Sequence, residues 1–472
     1  MSEHAYDRLT ALDSSFLVYE DASPDGSMHV ASTQVHEAAP LRRADGSLDI
    51  ERIEEYVLSR LERIPRYRQR LARTPLEQHP VWVDDPSFNI RYHVRHTRLP
   101  RPGSERQLKR LAGRLFSQRL DREKPLWELW VVEGLEGDRV AIVSKVHHCM
   151  VDGVSGSELV AALLTTEPQE KPDPIARWQP RALPTQVELG FGEVSRVLGA
   201  PRELVASLGR WLRDEDDARH EASERLRAVW SLLGDTRLPT PVPFNRPVGP
   251  HRRIDWLTMS VGRIREVRAK LGGTLNDVVL ATAAGGLARY LSRDRGVRLE
   301  DLCFRVMAPV SVRTDEQRGT LGNRVSAWML ELPLAESDPL ARLERIREQT
   351  ERLKRSKQAL GAETLTRVTE WTGSALLSIG ARLMTYGTPF NTVITNVPGP
   401  RVPLYLLESR MLEIHPHVPI MGTLGLGIAL FSYDGTLSWG FTGDWDLVPD
   451  LHALVAATGR AFEELRSAAG IG

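Results

Sequence analysis

Two proline-rich stretches set the outer limits on how this chain can fold. Residues 168–184 hold five prolines, and Pro239, Pro241, Pro243, Pro247 and Pro250 crowd a second stretch. Proline has no backbone donor and pushes the preceding residue out of helical geometry, so neither stretch can lie inside a helix or a central strand. Both therefore read as linkers. At 472 residues the chain also exceeds what one hydrophobic core usually supports. The expected organisation is an N-terminal domain over 1–184, a helical and proline-rich connector over 185–250 and a C-terminal domain over 251–472. Within the connector, Val187 to Leu233 is helical in pattern, with an interruption at Pro201 and an acidic patch at Asp214-Glu215-Asp216-Asp217.

In the first segment, Ile53, Val57, Leu61 and Ile64 give Ile50 to Leu71 a helical spacing, and Leu108, Leu111, Leu115 and Phe116 do the same for Glu105 to Leu120. Trp127 to Glu133 and Arg139 to His147 are strand-like and are separated by the turn-rich Gly134 to Asp138. If Glu133 pairs with Arg139, antiparallel register sets Trp127 opposite Lys145 and Pro125 opposite His147. The second strand runs into His147-His148-Cys149-Met150-Val151-Asp152-Gly153, after which Ser157 to Leu164 reads as a short helix. Two histidines thus stand where a strand ends and a turn begins.

An imidazole at such a place suits removal of a proton from a hydroxyl or thiol near neutral pH, and a nearby carboxylate can fix its tautomer. Gly153 allows backbone conformations that a Cβ would obstruct. No serine or cysteine is flanked by the glycines of a nucleophile elbow, so a base acting directly on an acceptor is simpler than a covalent relay. A metal site is disfavoured, because adjacent histidines on an extended segment point to opposite faces.

His147-His148-Cys149-Met150-Val151-Asp152-Gly153 resembles the HHxxxDG signature of acyl-CoA-dependent acyltransferases. Pro125-Leu126-Trp127 and Asn276-Asp277 resemble the PLW and ND motifs of the bacterial wax ester synthase/diacylglycerol acyltransferase family within that superfamily. Thr10 to Leu17, Pro309 to Arg313, Gly322-Asn323, Asn396 to Pro400 and Ser432 to Gly435 follow in the family's order. The resemblance implies an α+β fold of two chloramphenicol-acetyltransferase-like α/β sandwich domains joined by a helical linker. It implies a long-chain acyl-CoA as co-substrate rather than a resident cofactor, and diacylglycerol or a fatty alcohol as acceptor. It assigns His148 the role of general base, His147 a supporting one, and Asp152 that of holding the turn through an arginine. The products implied are triacylglycerol and wax ester.

Composition narrows the partners. Lysine plus arginine equals aspartate plus glutamate at 62 each, so no overall basic field invites nucleic acid. Cys149 and Cys303 are the only cysteines, which indicates neither a disulfide framework nor a thiolate metal site and fits a reducing cytoplasm. No window approaches the roughly 20 apolar residues of a spanning helix. The expectation is a cytoplasmic monomer or homodimer touching the inner membrane face or lipid droplets peripherally.

Several residues admit two readings. Thr274 with Asp277 resembles a capping box, while the same helix start could face the channel and polarise the acyl carbonyl. Pro125, Leu126 and Trp127 suit a channel wall. The Arg305 to Arg324 region suits either CoA phosphates or a solvated basic face. Phe191, Val194, Leu204, Leu208 and Trp211 recur at helical spacing and fit either a lipid surface or packing as an inter-domain connection. Two rival functions are a condensation-type or polyketide-associated acyltransferase and a non-catalytic lipid-binding relative. The second would be expected to lack the histidine or the aspartate, both of which are present.

Overall fold

The computed structural model describes residues 6–23, 25–150, 162–175, 177–198, 238–311, 325–359 and 389–471. Among the described residues, two six-stranded sheets carry the architecture. The first runs, in spatial order, Tyr405–Leu406, Ser409–His417, His29–Glu37, Arg139–His147, Trp127–Leu135 and Val94–Arg98. The second runs Val325–Leu332, Phe304–Ser311, Thr392–Val397, Leu426–Tyr433, Thr436–Asp444 and Arg252–Ser260. A small sheet of Asp7–Arg8, Pro80–Asp84 and Gln69–Arg73 sits apart from both. This is the mixed two-lobed architecture anticipated above.

Sheet membership does not follow the proline-marked segments. Ser409–His417 belongs to the C-terminal part of the chain, yet it pairs antiparallel with His29–Glu37 of the first sheet. Between the sheets lies the helix Glu105–Ser117, started by a Ser104/Gln107 capping box. Its Leu108, Ala112, Leu115 and Phe116 are buried together with Val35 and Val143 of the first sheet and Ile254 and Trp256 of the second. The sheets also meet directly. A Cβ added at Gly440 would stand 1.7 Å from the Pro416 carbonyl oxygen, so only glycine permits that approach.

The central hairpin departs from its expected register. Trp127 pairs with Val146, not Lys145, and Leu135 rather than Glu133 pairs with Arg139. Pro125 does not oppose His147, whose N–H donates to the Leu126 carbonyl at 3.0 Å. The cause is a register shift between Val132 and Leu135, where Gly134 takes a φ of 85° that other residues avoid. A one-residue slip moves every side chain to the other face. Lys145 consequently shares a face with its partner Glu128, 3.3 Å away, and caps the helix Glu105–Ser117 by donating to the Leu115 and Gln118 carbonyls at 3.0 and 2.8 Å.

The expected helix from Ile50 to Leu71 ends at Arg60 and continues as short 3-10 turns into the strand Gln69–Arg73. Pro65 explains the break, since it cannot donate within a helix. Asp434 and Gly435 both take positive φ and close the hairpin Leu426–Tyr433/Thr436–Asp444, as the Asp-Gly pair leads one to expect. Of the expected short helix Ser157 to Leu164, residues 157–161 lie outside the described residues.

Candidate active site

The strand Arg139–His147 ends on His147 and passes into a 3-10 turn over His148–Met150. Two elements hold that turn. His147 is the cross-strand partner of His29, and the His148 N–H donates to the Met28 carbonyl at 2.7 Å. The helix Ala11–Ala22, capped by the Thr10 hydroxyl accepting from the Asp13 N–H, lays the Phe16 ring 4.1 Å from the His148 ring. Phe16 therefore forms one wall beside the candidate base.

His147 and His148 differ in kind. His147 is fully buried, and its Nδ1 accepts from the Cys149 N–H at 3.2 Å with the Cys149 Sγ at 2.9 Å. Burial, reinforced by the charges of Asp13 and Glu20, pushes the Cys149 thiol well up, so it stays protonated and donates. His147 Nε2 faces the Glu20 carboxylate at 3.4 Å. His147 Nδ1 is thus engaged by protein, while Nε2 lies against a carboxylate.

His148 is only half-buried, and its Nδ1 meets no hydrogen-bond partner from any other described residue. Burial, aided by the neighbouring His147 and opposed by a hydrogen bond with its own backbone, lowers the ring to about 4. It is accordingly neutral at physiological pH. A neutral imidazole with spare hydrogen-bonding capacity at a partly open position can take up a proton.

Behind the histidines lies a charged cluster not anticipated from the sequence. The buried Glu20 carboxylate stands 3.5 Å from His29 Nε2, 3.4 Å from His147 Nε2 and 2.5 Å from an Arg122 nitrogen. Burial alone would raise its pKa, but the contacts with His147 and His29 and the Arg122 bond outweigh it and hold Glu20 well below the usual carboxylate range. Burial, with His147 and the Lys145 ammonium nearby, pushes His29 well below its ordinary value. The one available signal was spacing: Glu20 follows Phe16 by four residues, one turn along the same helix.

Leu126 and Trp127 are buried; the Trp127 Nε1 donates to the Tyr67 carbonyl at 2.8 Å, and its ring stacks 4.5 Å from that of His93. Asp277 lies at the start of the helix Leu275–Arg289 and forms the capping box: Oδ2 accepts from the Thr274 N–H at 2.7 Å and hydroxyl at 2.8 Å, while Oδ1 accepts from the Thr350 hydroxyl at 2.8 Å. The neighbouring Asn276 is partly exposed. Arg305 is buried in its strand, and the rest of the basic stretch from Val312 to Arg324 lies outside the described residues, as do Asp152 and Gly153. Among the described residues no cluster of histidine, cysteine, aspartate and glutamate could hold a metal ion, and no helix is long and apolar enough to cross a membrane.

Residues 9–279 match the model of the wax ester synthase/diacylglycerol acyltransferase catalytic domain, and residues 321–466 match that of the family's C-terminal domain. The chain belongs to the wax ester synthase/diacylglycerol acyltransferase family. A curated relative from Mycobacterium tuberculosis, named as a diacylglycerol O-acyltransferase, is 32% identical over 98% of this chain and 90% of its own length. The solved wax ester synthase/diacylglycerol acyltransferase from Marinobacter aquaeolei VT8 superposes with a TM-score of 0.69 at 25% identity, covering 98% of this chain and all of that one. The first condensation domain of the calcium-dependent antibiotic synthetase shares the fold, with a TM-score of 0.57 at 18% identity over 99% of this chain and 97% of its own. This family member is an acyltransferase, and the condensation fold is its wider structural kin.

Proposed function

We propose that this acyltransferase moves a long-chain acyl group from acyl-CoA to the free hydroxyl of diacylglycerol, giving triacylglycerol, and accepts a fatty alcohol in the same site to give wax ester. His148 takes the hydroxyl proton as the oxygen attacks the thioester carbonyl. The tetrahedral adduct then collapses, the C–S bond breaks, and the imidazolium returns its proton to the CoA thiolate. No metal or resident cofactor enters the scheme. His147 and Asp152 support the turn, and Gly153 serves its backbone. The observation that carries the reading is the contrast at the turn: His148 is neutral and half-open at the strand end, whereas His147 is fully buried, with Nδ1 held by Cys149 and Nε2 against Glu20.

Diacylglycerol and long acyl chains reside in membranes or droplets, so such an enzyme must meet them at a surface. The helix Gln186–Leu198 buries Leu189 and Glu193, the latter accepting from the Leu76 and Glu77 N–H groups at 3.0 and 2.9 Å. On its outer face Val187, Phe191 and Val194 are 79%, 76% and 45% exposed, at helical spacing, and Leu76 beside them is 67% exposed. That apolar stripe supports peripheral docking on the cytoplasmic membrane leaflet or a lipid droplet. Pro201, Leu204, Val205, Leu208, Trp211 and Leu212 of the expected stripe lie outside the described residues. Labelled palmitoyl-CoA offered diacylglycerol, hexadecanol and a sterol in parallel tests the activity. Labelled triacylglycerol as the main product is expected; label in none of the three esters would refute the proposal.

A further inference from the structure

The carboxylate of Glu20 touches both chain segments that hold His148, and the described mechanism leaves it without a role. We infer that Glu20 is a positioning residue, fixing the proton arrangement of His147 and through it the turn that presents His148. The inference rests on His148 being the base.

One arm runs through the His147 ring. A neutral imidazole has a single N–H. His147 Nδ1 faces the Cys149 backbone N–H at 3.2 Å, a group that can only donate, so Nδ1 must accept and the ring proton sits on Nε2. Glu20 Oε2 stands 3.4 Å from Nε2, and its negative charge favours the tautomer with the proton on that nitrogen. The Cys149 N–H belongs to the 3-10 turn His148–Met150, so the tautomer that Glu20 selects is the one that satisfies the turn's own backbone.

The second arm runs through the backbone. Glu20 Oε1 accepts from the Met28 N–H at 3.4 Å, and the Met28 carbonyl accepts from the His148 N–H at 2.7 Å. His29, 3.5 Å from Oε1, is held against the same carboxylate. Arg122 keeps Glu20 in place from the other side, with a second nitrogen on Asp21 Oδ1 at 2.6 Å. One carboxylate thus braces His147, the residue before His148, and Met28, whose carbonyl binds the His148 N–H. Misplacement of a reacting group by about 1 Å can cost on the order of 100-fold in rate, so such a brace has catalytic weight without touching substrate.

Glu20→Gln keeps the volume while removing the charge. Expected is a fall in kcat of roughly tenfold with KM for palmitoyl-CoA and diacylglycerol within about twofold of wild type. Because Glu20 acts largely through His147, Glu20→Gln combined with His147→Ala should be no slower than His147→Ala alone. Losses that multiply, or a Glu20→Gln enzyme with wild-type kcat, would overturn the inference. Should the variant not fold, wild-type protein labelled with ¹⁵N-histidine decides it: the His147 ring should carry its proton on Nε2, and a proton on Nδ1 would refute the role. His148→Ala measured alongside separates the two levels, since full activity there removes the base itself, whereas an inactive His148→Ala with multiplicative losses removes only the Glu20 link.

Discussion

His147-His148 and Asn276-Asp277 both come from short signature motifs, yet the structure uses the two pairs in opposite ways. At the helix start, each Asp277 carboxylate oxygen is committed, to Thr274 on one side and Thr350 on the other, tying the helices Leu275–Arg289 and Pro339–Ala359 together. At the strand end, His147 is fully buried, its Nδ1 accepting from the Cys149 N–H and its Nε2 lying 3.4 Å from the Glu20 carboxylate, but His148 is left half-open with a nitrogen that no other described residue satisfies. Buried polar groups are normally paired, and an exception points to a ligand or a reaction. A motif residue with every bond consumed is a strut, and one with spare capacity is where chemistry can happen.

That difference can be broken or sharpened by substitution. The largest effect belongs to His148→Ala, which should lower turnover by about 10²- to 10⁴-fold, the usual share of a positioned general base, with the melting curve unchanged. Asp277→Ala should do the reverse: removing the cap and the Thr350 bond should cost about 1–3 kcal/mol in denaturant unfolding, while activity per folded molecule stays within a few-fold of wild type. If Asp277→Ala were inactive yet as stable as wild type, the helix start would be a chemical site after all. His147→Ala is expected between these, with roughly tenfold lower kcat, because it disturbs the turn without removing the base. Asn276→Ala should change stability by no more than about 0.5 kcal/mol, as partly exposed positions usually do.

Local signals made much of this fold legible. Arg139–His147 and the hairpin closed by Asp434-Gly435 follow from β-branched runs and turn chemistry, and Thr274 with Asp277 showed the cap. What could not be read required information from distant parts of the chain. The bulge at Gly134 shifts the central register by one residue, and nothing in the flanking alternation announces it. Ser409–His417 joins a sheet whose neighbouring strand is His29–Glu37, a pairing without any local signal. The Glu20 cluster was hidden for the same reason: on sequence Glu20 is one acid just past the stretch Thr10 to Leu17, and only the fold brings it to Arg122, 102 residues away, and to His147. The motif histidines were visible from the sequence; what holds them was not.

The account depends on His148 working as a base that burial keeps neutral, and the pH dependence of kcat/KM in the unmodified enzyme reads that property without any mutation. A lowered imidazole pKa leaves the working neutral form in place as pH falls, until the folded-state value is crossed. With His148 lowered to about 4, kcat/KM for palmitoyl-CoA should stay level from neutral pH down to roughly pH 5 and decline only below it. An acid limb centred near 6.5, the ordinary imidazole value, would contradict the account.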